Sequence, residues 1–237
     1  MRNYFLLFAG LLFTIVVSAQ KDSTLRKKDR KRDVLLVTDQ GDITIRLSNA
    51  TPLHRDNFLK LVKVGYYDNV LFHRVIRNFM IQTGDPNSKN AAPGIALGNG
   101  GPGYTIPAEI IPSLFHKKGA VAAARMGDNV NPAKASSGSQ FYIVQGNIFS
   151  DGGLDSVETF RLNGKKIPAE IREVYKTIGG TPHLDQGYTV FGEVIRGLET
   201  VDKIAAVKTS TGMDRDRPLE DIKITSAELI KRKKYKH

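Results

Sequence analysis

The chain has 237 residues, with 35 Lys and Arg against 24 Asp and Glu, and contains neither cysteine nor tryptophan. This length suits one large domain or two small ones, and a hydrophobic fraction of 41% is enough for a packed core, which excludes wholesale disorder. The lack of cysteine excludes disulfides, thiol catalysis and cysteine-ligated zinc.

Residues 1–19 have the layout of a secretory signal peptide. Arg2 precedes an uncharged run from residue 4, which is rich in Leu, Phe, Ile and Val and ends with Val17 and Ala19. A charged start, an apolar middle and a small-residue end are typical of a cleaved signal. A permanent anchor, the alternative, needs about 20 apolar residues, more than this run offers. The pattern predicts cleavage after Ala19 and export to the periplasm or cell envelope.

The formal net charge of +11 lies mostly in two terminal segments. Residues 1–20 carry +1, residues 21–33 carry +4 and residues 231–237 carry +5, which leaves +1 for residues 34–230. Nucleic-acid binding usually combines basic side chains with aromatic platforms or a recognition helix, and these segments contain only one aromatic residue, Tyr235. We therefore expect residues 20–33 to be a flexible basic segment and residues 231–237 a basic tail. Neither should bind nucleic acid, and weak contact with an anionic surface is the alternative role for both.

The body of the chain, residues 34–230, is predicted to be a domain of short strands separated by Gly and Pro. Strands are predicted at residues 34–38, 43–47, 70–76, 79–83, 120–125, 140–145, 188–195 and 222–228. Many short strands with turn-rich connections favour a sandwich or a closed barrel.

Three helices are predicted within this domain. The first has Thr51 as N-cap and Pro52 as first residue, continues to residue 64 and ends at Gly65. Phe58, Leu61 and Val62 form its apolar, core-facing stripe. The other two helices are predicted at residues 168–178 and 198–205.

Several motifs have better structural than chemical explanations. The G-x-G-x-x-G match at residues 98–103 is followed by proline instead of a helix, so a glycine loop near a peptide groove is expected, not a phosphate site. The five histidines show no H-x-x-x-H or H-x-H pairing, so no zinc site is expected. Residues 151–155 predict a turn and residues 214–217 a solvated loop.

Candidate functional residues concentrate at residues 72–85. Arg74, Phe79, Met80 and Gln82 fall within nine residues of strand-rich sequence, and the strand at residues 140–145 places Gln140 and Tyr142 on one face. Together these side chains could hold an extended peptide, although none is a nucleophile or an acid–base pair. Taken alone, the first stretch fits a core strand with a snorkelling Arg equally well.

The combination of four blocks is more specific. The chain carries F-H-R-V-I-R-N-F-M-I-Q-T-G-D at residues 72–85, G-A-V-A-A-A-R-M at 119–126, S-G-S-Q-F-Y-I at 137–143 and Y-T-V-F-G at 188–192. In this order it resembles a bacterial, exported member of the cyclophilin-type peptidyl-prolyl cis–trans isomerases over residues 34–229. The resemblance implies an all-β fold, a closed eight-stranded antiparallel barrel. The helices at residues 51–64 and 198–205 would cap it, and residues 147–180 would be a partly helical insertion.

The resemblance also implies the roles of individual residues. Arg74 would be catalytic. The proline pocket would consist of Phe79, Met80, Tyr142 and Leu184. The peptide groove would be lined by Gln82, Ala124, Arg125 and Gln140, and Tyr188 would complete the site at a position where many members carry His. It implies a monomer without cofactor or metal that isomerises X–Pro bonds in proline-containing polypeptide clients. A peptide-binding chaperone with incidental catalysis is the alternative.

Three features depart from the family pattern. His183 stands where some members have Trp, which disfavours binding of cyclosporin-like ligands. Arg125 stands where many members have Asn, which changes the charge of the groove. The insertion at residues 147–180 has no counterpart in compact members, and it is either a packing elaboration of a loop or a flap that binds clients or partners.

Overall fold

The computed structural model describes residues 22–232, so the predicted signal peptide and residues 233–237 of the basic tail lie outside the described residues. The strands are Arg32–Thr38 (β1), Gly41–Leu47 (β2), Val70–Leu71 (β3), Arg74–Ile76 (β4), Met80–Thr83 (β5), Thr105–Ile106 (β6), Ala120–Ala123 (β7), Ser136–Ser137 (β8), Phe141–Val144 (β9), Val190–Arg196 (β10) and Lys223–Lys231 (β11). The α-helices are Pro52–Lys63 (α1), Asp151–Phe160 (α2), Ala169–Thr177 (α3) and Leu198–Ala205 (α4). Within residues 22–232, no helix has both the length and the apolar character to cross a membrane.

The main sheet curls back on itself. Nine antiparallel strands pair in the order β3, β11, β1, β2, β10, β7, β9, β5, β4, while β6 and β8 pair separately. The two edge strands, β3 and β4, are separated in the chain only by Phe72 and His73. Two residues span less than about 10 Å, so the edges of the sheet must lie side by side. The predicted all-β antiparallel class is thereby confirmed.

Eight strands were expected in the sheet, and nine are present because the one predicted at residues 70–76 is interrupted. Phe72 and His73 are both buried, at 1% and 4% exposure, whereas successive residues of a straight strand point to opposite faces. The backbone N–H of Phe72 donates to Ile222, and that of Val75 donates to Asp216. The chain therefore changes partners at this point and turns from one edge of the sheet to the other.

A cluster of aromatic rings fills the interior. Phe58 of α1 lies 5.1 Å, centroid to centroid, from both Tyr67 and Phe141, and 5.4 Å from Phe191. All four are at most 3% exposed. Burying each large apolar side chain stabilises the fold by about 1.5–3 kcal/mol, so this cluster anchors α1 to the sheet.

The two predicted capping helices are present as α1 and α4, and Thr51 is the N-cap residue of α1 as predicted, but its side chain does not cap the helix. Thr51 makes no side-chain capping bond, and its buried hydroxyl has no partner within residues 22–232. Instead, the Glu109 carboxylate accepts from the backbone N–H groups of Leu53 and His54, at 3.1 and 2.9 Å. A carboxylate satisfies the free N–H groups and favours the positive end of the helix dipole, so it replaces the local cap.

The described part of the basic N-terminal segment differs from the flexible segment expected. Asp29–Lys31 forms a 3₁₀ turn, the Arg30 guanidinium forms a two-point ion pair with Asp56 on α1 at 2.8–2.9 Å, and Leu25 packs against the core. Asp33, only 1% exposed, accepts from the Arg46 guanidinium. These ion pairs with residues of α1 and β2 anchor the segment to the domain.

The insertion at residues 147–180 is a closed subdomain with its own core. Its ends pair through backbone bonds between Asn147 and Gly180 at 2.8 and 3.1 Å. Leu154, Ile167 and Tyr175 are buried together inside it. Two positive-φ glycines make the close approach possible: a Cβ at Gly180 would lie 2.2 Å from a backbone oxygen, and one at Gly146 would lie 2.4 Å from Gly180.

Helix α2 corrects the turn predicted at residues 151–155. The Ser150 hydroxyl accepts from the Gly153 N–H at 3.1 Å and caps the helix. Glu158, 1% exposed, accepts from Arg172 and Lys166, both at 2.7 Å, and from the Ile167 N–H at 3.0 Å. These contacts lower its pKa to about 2 and join α2 to α3.

Candidate active site

The register of three short strands assembles the site. In the pairing of β4, β5 and β9, Arg74 lies opposite Gln82, and Gln82 lies opposite Tyr142. Directly opposed side chains share a face of the sheet, so a guanidinium, an amide and an aromatic ring are placed in a row. Met80 lies on this face as well, because it is two residues from Gln82.

A polar relay leads away from Arg74. Arg74 Nη1 donates to Gln82 Oε1 at 3.5 Å, and Gln82 Nε2 donates to Gln140 Oε1 at 3.1 Å. Gln140 Nε2 in turn donates to the carbonyls of Gly98 and Gly100, at 2.7 and 2.8 Å. The glycine loop at residues 98–103 thus lies beside the groove, as the sequence predicts, and fixes the orientation of both amides.

The pocket beside Arg74 has an apolar wall, which includes Phe79, Met80 and Leu184, and a polar side that includes Gln82 and Asp214. It has a volume of about 360 Å³, and its walls include the predicted residues Arg74, Phe79, Met80, Gln82, Ala124, Arg125, Tyr142, Leu184 and Tyr188. Gln140, the remaining predicted residue, is 5% exposed and supports Gln82 from behind. The structure therefore brings the whole predicted set together, although its members come from five separate parts of the chain.

Arg125 braces one wall of the pocket. Its guanidinium carbon lies 4.5 Å from the centre of the Tyr188 ring, and its Nε donates to the Gly187 carbonyl at 2.7 Å. Nη1 pairs with Asp128 at 2.6 Å, and the side chain is only 6% exposed. Its charge is largely neutralised, so it orients Tyr188 more than it changes the charge of the groove.

Asp216, which no sequence motif indicates, lies next to Arg74. Its carboxylate is 3.5 Å from Arg74 Nε, and its backbone carbonyl accepts from the Val75 N–H at 2.7 Å. The neighbouring Arg217, 2% exposed, donates to the carbonyls of Ala91 and Ala92 at 2.8–3.1 Å. The predicted solvated loop at residues 214–217 is therefore wrong: it packs against the site and holds the guanidinium.

Two histidines also line or support the pocket. His73 is 4% exposed, and neither ring nitrogen has a hydrogen-bond partner among the described residues. Burial lowers the pKa of His73 to about 4, so it adds no charge to the pocket near neutral pH. The His183 ring stacks on Phe79 at 5.4 Å, where it supports the pocket wall.

A buried hydrogen-bonded chain connects the insertion to the pocket. Tyr175 OH donates to Asp185 Oδ2 at 2.6 Å, and Asp185 Oδ1 lies 2.9 Å from His116 Nδ1. His116 Nε2 lies 3.0 Å from the hydroxyl of Tyr142 in the pocket wall. Burial raises the pKa of both tyrosines, which therefore stay protonated. No group of three metal-binding side chains occurs among residues 22–232.

Comparison with known proteins identifies the family. The model of the cyclophilin type peptidyl-prolyl cis–trans isomerase family matches residues 34–229. The chain belongs to this family. A candidate peptidyl-prolyl cis–trans isomerase of Staphylococcus saprophyticus is 37% identical over 201 residues, covering 83% of this chain and 91% of that protein. A Staphylococcus aureus relative of the same name is 38% identical over 200 residues, covering 83% and 90%.

Solved structures support the same fold. A cyclophilin type isomerase of Cryptosporidium parvum superposes with a TM-score of 0.59 at 24% identity, covering 84% of this chain and 96% of that one. The same Cryptosporidium protein in the presence of the dipeptide Ala-Pro gives a TM-score of 0.58. The chain is thus a cyclophilin-type peptidyl-prolyl cis–trans isomerase. The pocket beside the half-exposed Arg74 is the candidate site for this reaction.

We predict that Asp216 positions the guanidinium of Arg74. In Asp216→Asn the ion pair is lost and Arg74 samples more orientations, so kcat should fall about threefold while KM stays nearly constant. A protease-coupled proline-peptide assay measures both constants. The control is Glu220→Gln, which removes one negative charge from an exposed residue nearby in the chain. Asp216→Glu keeps the carboxylate and should restore part of the rate. A raised KM with unchanged kcat would contradict this role.

We predict that buried His73 makes stability depend on pH. Its folded pKa of about 4 lies below the ordinary 6.5, so between these values the unfolded chain binds a proton that the folded chain does not. The free energy of unfolding should therefore fall as pH drops from 6.5 to 4, by up to about 3 kcal/mol from this group. His54 and His183, whose pKa values burial also lowers, contribute to wild type and variant alike. Urea unfolding of His73→Gln should show a flatter pH dependence, and an unchanged slope would refute the assignment.

Proposed function

We propose that Arg74 catalyses the rotation by donating a hydrogen bond to the prolyl nitrogen of a twisted X–Pro amide held in the apolar pocket. An X–Pro bond interconverts in tens to hundreds of seconds because amide resonance creates a barrier of about 18–20 kcal/mol. A turnover of about 10–1,000 per second requires that this barrier be lowered by roughly 4–7 kcal/mol. No covalent bond is broken, so the reaction needs no nucleophile.

The twisted amide differs chemically from both planar forms. Its prolyl nitrogen regains a lone pair that resonance delocalises in the ground states. A fixed donor aimed at that nitrogen stabilises the transition state selectively, which is the requirement for catalysis. One charged hydrogen bond contributes about 2–3 kcal/mol. The pocket and the amide relay must supply the remainder by favouring the rotated peptide.

The arrangement around Arg74 supports this mechanism. Its side chain is 42% exposed, with Nη1 engaged by Gln82 and Nε beside Asp216, while Nη2 has no partner among residues 22–232. The guanidinium is therefore oriented by two contacts and keeps a free donor. Phe79, Met80 and Leu184 offer the apolar surface that a proline ring requires. The Cryptosporidium relative studied with Ala-Pro supports a proline-containing peptide as the ligand of this pocket.

A proline-peptide assay tests the role of Arg74. Arg74→Ala should fold normally, since the side chain is partly exposed, but lose about 30- to 150-fold in kcat/KM, which corresponds to the 2–3 kcal/mol assigned to its hydrogen bond. Arg77→Ala, an exposed arginine on the adjoining turn, is the matched control. Activity of Arg74→Ala within a factor of two of wild type would refute the mechanism.

The same variant separates the enzyme from the alternative, a peptide-binding chaperone with incidental catalysis. If folding of a proline-limited client is accelerated by wild type and not by Arg74→Ala, catalysis accounts for the effect. Suppression of client aggregation that is equal in both proteins would favour the chaperone. The oriented guanidinium favours the enzyme, because binding alone does not need it.

We further propose that the clients are exported polypeptides and that the chain acts as a monomer in the periplasm or cell envelope. The layout of residues 1–19 supports export, and the basic tails would add weak attraction to anionic surfaces. The charge distribution offers no support for a nucleic-acid partner.

Export predicts a defined mature N-terminus. Expressed with its leader in a Gram-negative host, the protein should be recovered from the periplasm with Gln20 as its first residue, as measured by intact mass. Ala19→Arg should block cleavage, because the position before the cut requires a small residue. A cytoplasmic product that retains residues 1–19 would contradict export.

A further inference from the structure

A second groove adjoins the proline pocket, and the insertion forms its far side. This groove, which we call the insertion groove, has a volume of about 420 Å³. Arg125, Leu184 and Tyr188 line both cavities, so the two lie side by side. The residues that the insertion contributes include Arg161, Leu162, Lys165, Lys166, Ile167 and Ile171. A peptide whose proline occupies the pocket can therefore continue into the groove.

The insertion groove is lined by cations whose charge is not balanced. Arg161 and Lys165 are exposed and have no ion-pair partner within residues 22–232. Lys134 donates to a backbone carbonyl, that of Gln186, at 3.3 Å, and so keeps its full charge. Lys166 is paired with Glu158 at 2.7 Å. Three positive charges thus face the groove without an ion-pair partner among the described residues.

The acidic residues of the groove offset these cations only in part. Asp128 is paired with Arg125 at 2.6 Å. Asp185 accepts from Tyr175 OH at 2.6 Å and from the His116 backbone N–H at 2.9 Å, in addition to its contact with the His116 ring. The hydroxyl and backbone N–H donors are neutral, so Asp185 keeps its negative charge, and the three cations without ion-pair partners outnumber it. The remaining electrostatic potential is positive, and it extends towards the proline pocket. Burial is the main cause of the lowered pKa of His183, and the charge of Arg161 lowers it further. The His183 ring stacks on Phe79 in the wall of the proline pocket.

The groove is also fixed in position relative to the pocket. The chain from Tyr175 through Asp185 and His116 ends on Tyr142 in the pocket wall. The backbone pairing of Asn147 with Gly180 closes the base of the insertion. Cations held rigidly beside an active site are positioned to select substrates by charge, because little ordering entropy is spent on binding.

We infer that the insertion groove binds acidic segments of client polypeptides, so that the isomerase favours X–Pro bonds flanked by Asp or Glu. This inference rests on the proposed use of the adjoining pocket for proline. An extended polypeptide is the occupant because the groove adjoins that pocket, and an acidic one because three cations without ion-pair partners outnumber the one such carboxylate, Asp185. Leu162 and Ile171 add apolar surface for the stems of the acidic side chains.

The test compares two peptides on the full mature chain, residues 20–237. Both carry the same Ala-Pro core; one has Asp and Glu on either side and the other has Asn and Gln. For wild type, KM should be about three- to tenfold lower for the acidic peptide, with similar kcat, since each exposed charge pair contributes modestly. In Arg161→Gln/Lys165→Gln this preference should fall to within about twofold. It should also weaken in wild type between 50 and 500 mM salt, because exposed pairs are screened.

A matched variant controls for the loss of two positive charges. Lys223→Gln/Lys231→Gln removes two exposed cations from β11, which is four strands away from β7 in the sheet order. This variant should keep the full preference for the acidic peptide. Loss of the preference in this control would show that net charge, and not the groove, is responsible, and would overturn the inference.

Three further outcomes would overturn the inference. The first is an equal KM for both peptides in wild type. The second is an equal loss on both peptides in the Arg161→Gln/Lys165→Gln variant, which would make the insertion a structural support. The third is tighter binding of a single-stranded oligonucleotide that displaces a labelled acidic peptide, which would assign the groove to nucleic acid. Failure of the proposed function would be recognised separately, because the neutral peptide would then not be turned over. Fluorescence anisotropy would still measure binding of the labelled acidic peptide and so test the groove.

Discussion

The register of β4, β5 and β9 is the constraint on which the site depends. A shift of one residue would turn Arg74 towards the core and Val75 towards solvent, because side chains alternate between the faces of a strand. A strand of three residues cannot resist such a shift alone. Burial of Phe72 and His73 on one side and the backbone bond from Val75 to Asp216 on the other hold β4 in place. The position of one guanidinium is thus determined by the closure of the whole sheet.

The chemistry of the site follows from orientation more than from reactivity. The proposed mechanism uses no nucleophile in the pocket, and the neutral state of His73 adds no further positive charge beside Arg74. Hydrogen bonds connect the guanidinium through Gln82 and Gln140 to the glycine loop, and Asp216 contacts it from the other side. Preorganised donors of this kind lower a barrier because they need no rearrangement when the amide twists.

The insertion shows how an added subdomain can alter a site without disturbing its core. It has its own buried cluster, a closed base and an internal ion-pair clamp at Glu158, so its stability is largely local. One side chain, Tyr175, connects it to the pocket wall. The family fold thereby keeps its catalytic geometry while a second groove with a different charge is placed next to it.

Local patterns in the sequence predicted the strands of the main sheet, the helices α1, α3 and α4, and the candidate site residues, because alternation, turn residues and a fourteen-residue motif are all local signals. The two-residue strands β6 and β8 were not predicted, since they are too short to show a pattern. Local patterns failed where distant residues decide the outcome. Glu109 caps α1 from 55 residues away, Asp216 reaches Arg74 across the sheet, and α2 forms despite Gly152 and Gly153 because its buried residues pack in the insertion. The break at Phe72 and His73 likewise appears only when the sheet closes. The sequence alone therefore determined which side chains are candidates for the chemistry, and the tertiary structure decided what holds them, because burial and pairing join residues that are far apart in the chain.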